Sequence, residues 1–188
     1  PWTWFSSSLS DCANVLIVNG NLIKKVMFPA EILPVVAVLA NMFHFIFGLP
    51  ILSGFLVYYA VPLRLGELMW LPLVLSVQLI VTLGLGMVLA ALTVHFRDIK
   101  DLLANLLTLW FFATPIIYPM SMLPSQGKTF MDLNPFAHLA ISYQEILFYD
   151  GPFGHWKWLL ALAVGGIGLF LLGYGLFDRL RDSFAEEV

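Results

Sequence analysis

The sequence predicts an all-α integral membrane protein, a helical bundle of four complete spans and part of a fifth. Three observations carry this reading. Of the 188 residues, 60% are hydrophobic and 11% charged, with mean hydropathy +0.89, whereas soluble domains carry about 25% charged residues. Several charge-free runs are long enough to cross a hydrocarbon core, which takes about 20 helical residues. Finally, one charged island, His95-Phe-Arg-Asp-Ile-Lys-Asp101, separates two such runs: 27 residues from Leu68 to Val94 and 19 from Leu102 to Met120.

The island orients the chain. A short charged stretch between two spans is a tight turn at one membrane face, and basic side chains near span ends mark the cytoplasmic side. Arg97, Asp98 and Lys100, with His95, therefore define a cytoplasmic turn. Counted from it, Lys24, Lys25, Arg97, Lys100, Arg179 and Arg181 share that side, while Arg64, Lys128 and Lys157 lie opposite. This bias places the C-terminus in the cytoplasm.

Taken in order, residues 1–23 read as the end of a span. Trp2, Trp4 and Phe5 suit a membrane interface. Ser6, Ser7, Ser8, Ser10 and Asn14 suit a face packed against other helices rather than lipid. The chain opens without an initiator Met, inside an amphipathic run, so an N-terminally incomplete sequence is expected. Asn19 to Pro29 follows, with Lys24 and Lys25 among Leu22, Ile23, Val26 and Phe28. On a helix this gives one apolar and one basic side. It reads either as a piece lying in the interface plane or as lysines snorkelling from a span end.

Ile32 to Tyr59 is a 28-residue uncharged span interrupted by Pro34, Gly48, Pro50 and Gly54, where kinks are expected and tolerated. Asn41 and His44 lie one turn apart, and His44 reads as a helix–helix hydrogen-bonding residue. After a short turn containing Arg64, the Leu68–Val94 run returns to the cytoplasmic side. Gly84, Gly86, Ala90 and Ala91 offer surfaces for close helix approach, and Gln78 and Thr82 form a polar spot inside the span.

The Leu102–Met120 run has two chemically different faces. At 100° per residue, Asn105, Thr108, Phe111, Phe112 and Tyr118 fall on one side with Asp101, Ala104 and Pro115. Leu102, Leu103, Leu106, Leu109, Trp110, Ala113 and Ile117 fall on the other. The mixed face reads either as the lining of a conduit or as a helix–helix seam. From Pro119 to His155 prolines punctuate the chain. Asn134 before Pro135 is a helix start, an N-cap with Pro at the first helical position. A helix from there to Tyr149 is too short to cross, so it is interfacial or re-entrant. Trp158 to Phe177 is the last span, thinned by Gly165, Gly166, Gly168, Gly173 and Gly175.

Several chemistries are disfavoured. The single cysteine, Cys12, excludes an internal disulfide and a multi-cysteine metal site. Gly127-Lys-Thr129 resembles half a phosphate-binding loop, but Met122 stands where the first glycine belongs and no strand precedes it. Asp98 and Asp101 could share a magnesium ion, yet Arg97 and Lys100 beside them favour a self-neutralising turn. No catalytic set, no resident metal and no nucleic-acid partner are expected.

Three blocks carry a resemblance. Asn21-Leu-Ile-Lys-Lys-Val-Met-Phe-Pro-Ala-Glu-Ile-Leu-Pro34 resembles a cytoplasmic segment of the permease subunits of polysaccharide-exporting ABC transporters. His95 to Asp101 followed by Trp110-Phe-Phe-Ala-Thr-Pro-Ile-Ile-Tyr-Pro119 is a second matching block, and Asn134-Pro135 with Tyr143-Gln-Glu-Ile-Leu147 a third. The family exports lipid-carried glycans of the O-antigen or teichoic-acid type. The resemblance implies one permease domain over residues 1–188, lacking its N-terminal part. It implies a cytoplasmic coupling helix at 20–29, with Leu22, Ile23, Lys24, Lys25 and Phe28 against a separate ATPase subunit. It implies an outer re-entrant region over 119–155, a permease homodimer in the bacterial cytoplasmic membrane, and ATP and magnesium bound in the partner rather than in this chain. One departure stands out: the family commonly has Arg where Ala30 precedes Glu31, so any salt link of that arginine is lost. Sugar passage suits the mixed face of the 102–120 run, where aromatic rings stack on sugar faces and Asn and Thr offer hydrogen bonds. The competing readings are an ABC permease for a drug or small lipid, and a membrane enzyme acting on a prenyl phosphate with Asp98 and Asp101 as magnesium ligands.

Overall fold

The computed structural model describes residues 1–20, 29–61, 64–118, 122, 124, 131–149 and 151–187, with side chains described only to residue 180 of the last helix. Among the described residues every regular element is a helix: α1 (Trp2–Val18), α2 (Ile32–Tyr58), the single turn α3 (Leu65–Leu68), α4 (Leu71–His95), α5 (Ile99–Phe112), α6 (Pro135–Leu147) and α7 (Trp156–Glu187).

Among the described residues, three stretches are long and apolar enough to cross a membrane: Ile32–Tyr58, Leu65–His95 and Trp156–Leu180. They coincide with three of the four charge-free runs. The fourth run behaves differently. Helix α5 stops at Phe112 after 14 residues, about 21 Å at 1.5 Å per residue. The cause is Pro115, whose ring would collide with the Phe111 carbonyl and which pushes Thr114 out of helical geometry. The chain leaves the helix through Thr114 N–H to Phe111 O, 3.2 Å, and Ile116 N–H to Thr114 O, 2.8 Å. Over its described part, to Tyr118, this run is thus a short helix followed by a turn, not one continuous helix.

Other ends follow local chemistry. Helix α1 is closed by Asn19, whose backbone N–H and side-chain amide both donate to Val15 O, at 3.2 and 2.7 Å. Helix α2 carries Pro50 inside it without ending, as a neighbour-supported span can. It closes with Ala60 N–H to Val57 O, 3.1 Å, and Val61 N–H to Leu56 O, 2.9 Å. This paired closure needs a left-handed residue, and Ala60 supplies it at φ 53°. Helix α6 begins as its sequence predicts. The Asn134 side chain accepts from Phe136 N and Ala137 N, with Pro135 at the first position.

Two apolar clusters hold the bundle. The larger joins Phe5 and Leu9 of α1, Val74, Val77 and Val81 of α4, Leu103 and Leu107 of α5, and Phe136, Leu139 and Tyr143 of α6. The smaller joins Leu16, Ala30, Met87, Ala90, Ala91, Val94 and Phe177. Helices α4 and α7 approach backbone to backbone. A Cβ on Gly84 would stand 2.8 Å from Phe170 N, and one on Gly173 would stand 3.0 Å from Gly84 O. Gln78 and Thr82 are fully buried: Gln78 donates to Pro1 O at 3.0 Å, and Thr82 to Gln78 O at 2.7 Å. The helix–helix hydrogen bond expected near His44 is made one turn earlier, by Asn41 to the Asp11 carboxylate at 2.7 Å. His44 instead lines a hollow with Pro1, Thr3 and Trp4.

Candidate functional site

Helix α5 carries most of the sequence-predicted site. The turn feeding it is short. Phe96 closes α4 with its N–H on Leu92 O at 2.9 Å, and Ile99 N–H bonds Phe96 O at 3.1 Å. Arg97, Asp98 and Lys100 are exposed on this turn. Asp101 lies in the first helical turn, where a carboxylate meets the positive end of the helix dipole.

Leu103 and Leu107 turn into the core, with Trp110 half-buried and Thr114 fully buried below them. This narrow seam leaves both flanks of α5 open. Leu102, Leu106 and Leu109 are exposed on the apolar flank, as lipid requires. Asn105 and Thr108 are exposed on the other, their polar hydrogens turned back onto their own helix: Asn105 to Asp101 O at 3.2 Å, Thr108 to Ala104 O at 3.0 Å. Each side-chain oxygen stays open to a ligand. Within the described residues, then, the mixed face is not the packing seam of α5.

That face forms one wall of a groove of about 570 Å³ whose other wall is α1. Trp2, Ser6, Ser7, Ser10 and Asp11 line it opposite Thr108 and Phe111. The Trp2 ring sits 5.7 Å from the Phe111 ring, and Phe111 meets Phe112 edge-on at 5.3 Å. Phe112 is 60% exposed. Tyr118 lies beyond the helix end, where its hydroxyl donates to Phe112 O at 3.0 Å. It lines a separate hollow with Ile117, Gln144 and Tyr149. The structure therefore joins Thr108 and Phe111 in one groove, sets Asn105 and Phe112 on its flank, and places Tyr118 apart.

The α1 wall was not among the predicted site residues, although its signal is in the sequence. Thr3, Ser6, Ser7, Ser10, Asp11 and Asn14 fall on one arc of about 140° when residues 2–18 are wound at 100° each. Asp11 matters most. It adds a carboxylate to a wall of hydroxyls; wherever such a group lies within a membrane segment it costs about 2.5–3.5 kcal/mol on insertion scales and by default marks a path or site. Here the Asn41 amide holds one oxygen. Hydroxyls, one carboxylate and aromatic faces in a single open groove can accept and donate to a polyhydroxylated ligand and stack against its apolar faces.

The floor of the site is set by Asn134. Its oxygen accepts from the Trp110 indole at 2.8 Å, while its amide donates to Ala113 O at 3.2 Å and Thr114 Oγ at 3.0 Å. One side chain thus caps α6 and ties down the end of α5 just below Phe111 and Phe112. The coupling residues Leu22, Ile23, Lys24, Lys25 and Phe28 lie outside the described residues.

Comparison with known proteins fits this geometry. The family model described as ABC-2 type transporter matches residues 1–148. The chain is 36% identical over 190 residues to an O-antigen export system permease protein RfbA of Myxococcus xanthus, covering 100% of this chain and 72% of that one. It is 31% identical over 186 residues to a protein of the same name from Klebsiella pneumoniae, covering 99% and 71%. With a multi-pass helical membrane architecture and a family match over most of its length, this chain belongs to the ABC-2 type transporter family.

Proposed function

We propose that this chain is the membrane subunit of an ABC exporter that moves an O-antigen-type, lipid-linked polysaccharide across the bacterial inner membrane. ATP hydrolysis takes place in a separate ATPase subunit, and two copies of the permease pair around the glycan path. The observation that carries this reading is the α1–α5 groove. Its hydroxyl, carboxylate and aromatic lining is unlike a lipid-facing surface and is suited to sugar. The relatives' names point to the same substrate class. A sliding polymer is served by many weak contacts, and a row of serines, threonine and rings supplies them. A drug or small-lipid substrate would be served better by an enclosed apolar pocket, and the groove is open and polar along one wall.

In this reading the 20–29 segment docks on the ATPase, and the 119–155 region, which includes the 13-residue α6, dips into the outer leaflet before the last span. The test is complementation. Cells lacking their own O-antigen permease should regain surface polysaccharide when given the full permease gene together with its ATPase, and not with either alone. Restored drug efflux without restored surface glycan would overturn the assignment.

A further inference from the structure

Opposite the cytoplasmic turn, the segment between α6 and α7 is held by charged groups that the export reading does not use. Glu145 of α6 accepts from Gly154 N–H at 3.0 Å and from His155 N–H at 3.2 Å, and its second oxygen meets His155 Nδ1 at 2.9 Å. His155 Nε2 faces His138 Nδ1 at 3.5 Å, and His138 Nε2 lies 3.0 Å from the Asp132 carbonyl oxygen. The His138 ring stacks on Trp158 of α7 at 4.0 Å and 10°. From the other side, Arg64 donates to Tyr149 O and Gly151 O, and Glu67 accepts from Phe153 N–H at 3.1 Å.

The donor and acceptor pattern calls for one extra proton between the two rings. A carbonyl oxygen can only accept, so His138 Nε2 carries a proton. A carboxylate can only accept, so His155 Nδ1 carries one too. The two facing nitrogens then need one proton between them. If both imidazoles are neutral, two lone pairs face each other, or His138 must give up Asp132. If both are charged, two N–H groups face each other. The row Glu145, His155, His138, Asp132 is satisfied with one imidazole doubly protonated and the other neutral, and the Glu145 carboxylate at 2.9 Å places that charge on His155 rather than on His138.

We infer that this row is a proton-operated clasp: protonation of His155 ties α6 to the start of α7 through Glu145 and His138, and loss of that proton slackens the 151–155 segment. Burial, the larger cause, and the neighbouring His155 hold His138 below the ordinary imidazole value, in keeping with its neutral role. A depressed imidazole supports the fold at higher pH and withdraws that support as pH falls below the ordinary value. The clasp is made while His155 carries its second proton and His138 stays neutral, and it slackens when either ring changes state. Among the described residues, the charged groups near it on neighbouring elements are Glu145 and Asp132 beside the imidazoles, Glu67 and Arg64 from α3 and its approach, and Lys157 on α7. The inference concerns how the outer segment is held and is independent of what is exported.

The full permease in lipid nanodiscs, labelled with nitrogen-15 histidine, tests this without any substitution. The chain has four histidines, assignable by replacing them singly with Gln. Across a pH series, hydrogen exchange of the Gly154 and His155 amides, corrected for intrinsic pH dependence, should be slowest where the nitrogen-15 signals show both His155 ring nitrogens protonated and one on His138, and should rise severalfold once the second His155 proton is lost. Glu145→Gln should flatten that profile. A neutral His155 beside a charged His138, a flat wild-type exchange profile, or an unchanged profile in Glu145→Gln would each overturn the clasp.

Discussion

The Trp110 indole donates to the Asn134 side-chain oxygen across 2.8 Å, so the residue that starts α6 also fixes where α5 ends. The same oxygen serves the Phe136 and Ala137 amides, and the same amide group serves Ala113 and Thr114. Asn134→Ala removes the N-cap and strands the indole N–H together, a loss of about 2–4 kcal/mol from capping and unsatisfied-donor terms. Asn134→Asp keeps the acceptor and should lose less. Thermal unfolding of purified permease in detergent should rank wild type above Asp above Ala.

Ala60 predicts the opposite sign. It holds a left-handed conformation at φ 53° at the end of α2, a geometry that costs a residue bearing a Cβ about 1–2 kcal/mol. Ala60→Gly should therefore stabilise the protein, by somewhat less than that because glycine also loosens the unfolded chain. A fall in melting temperature would contradict the closure described at Val61.

The glycines of α7 are not equivalent. A Cβ on Gly166 would meet Val81 Cγ2 at 2.8 Å and Val81 N at 3.2 Å, whereas one on Gly165 or Gly168 would meet nothing within 4 Å. Gly166→Ala and Gly84→Ala should destabilise by about 1–3 kcal/mol through overpacking. Gly165→Ala and Gly168→Ala should be neutral or slightly favourable, since alanine is the better helix former. The same melting assay separates the two pairs.

For the glycan path, exposure decides which variants report on function. Phe112 is exposed, whereas Leu103 is buried at 6% and lies outside the groove lining. Phe112→Ala should leave stability within about 0.5 kcal/mol yet lower surface glycan per permease molecule. Leu103→Ala should cost about 2–5 kcal/mol and lower glycan only in step with lost protein. Ser10→Leu, in the groove wall opposite Thr108, should behave like Phe112→Ala. Equal loss per molecule at Phe112 and Leu103 would argue against a glycan path on this face.

Coupling is tested separately. Replacing both Leu22 and Ile23 with Asp should abolish co-purification of the ATPase while the permease still inserts. Recovery of the ATPase at the wild-type level would exclude these residues from the contact.

Much of this architecture was legible in the sequence because membranes impose a simple rule. Charge-free runs of sufficient length gave α2, α4 and α7, and Asn134-Pro135 announced the start of α6 through its capping chemistry. Hydropathy gave no sign that α5 stops at Phe112, because the residues beyond it stay apolar; only Pro115 carried that information. The mixed face of α5 was visible from its period, but its partner wall was not. The serines of α1 could be seen to avoid lipid, yet which helix they faced depended on how α1 and α5 cross. The row from Glu145 to His138 was hidden for a related reason: His155 lies 17 residues from His138, and only the fold of the intervening segment makes them neighbours.

The close approach at Gly84 and Gly173 has a mechanical consequence. Where two backbones touch, neither axial slip nor rotation is available without collision, because no flexible side chain stands between them to yield. Helices α4 and α7 are thereby keyed together like a tongue in a groove and act as a stator. Compliance must reside elsewhere, and the open trench between α1 and α5 is one place for it. In the reading proposed above, with the 20–29 segment docked on the ATPase, work delivered there would be spent widening or narrowing that trench rather than shearing the glycine-locked pair.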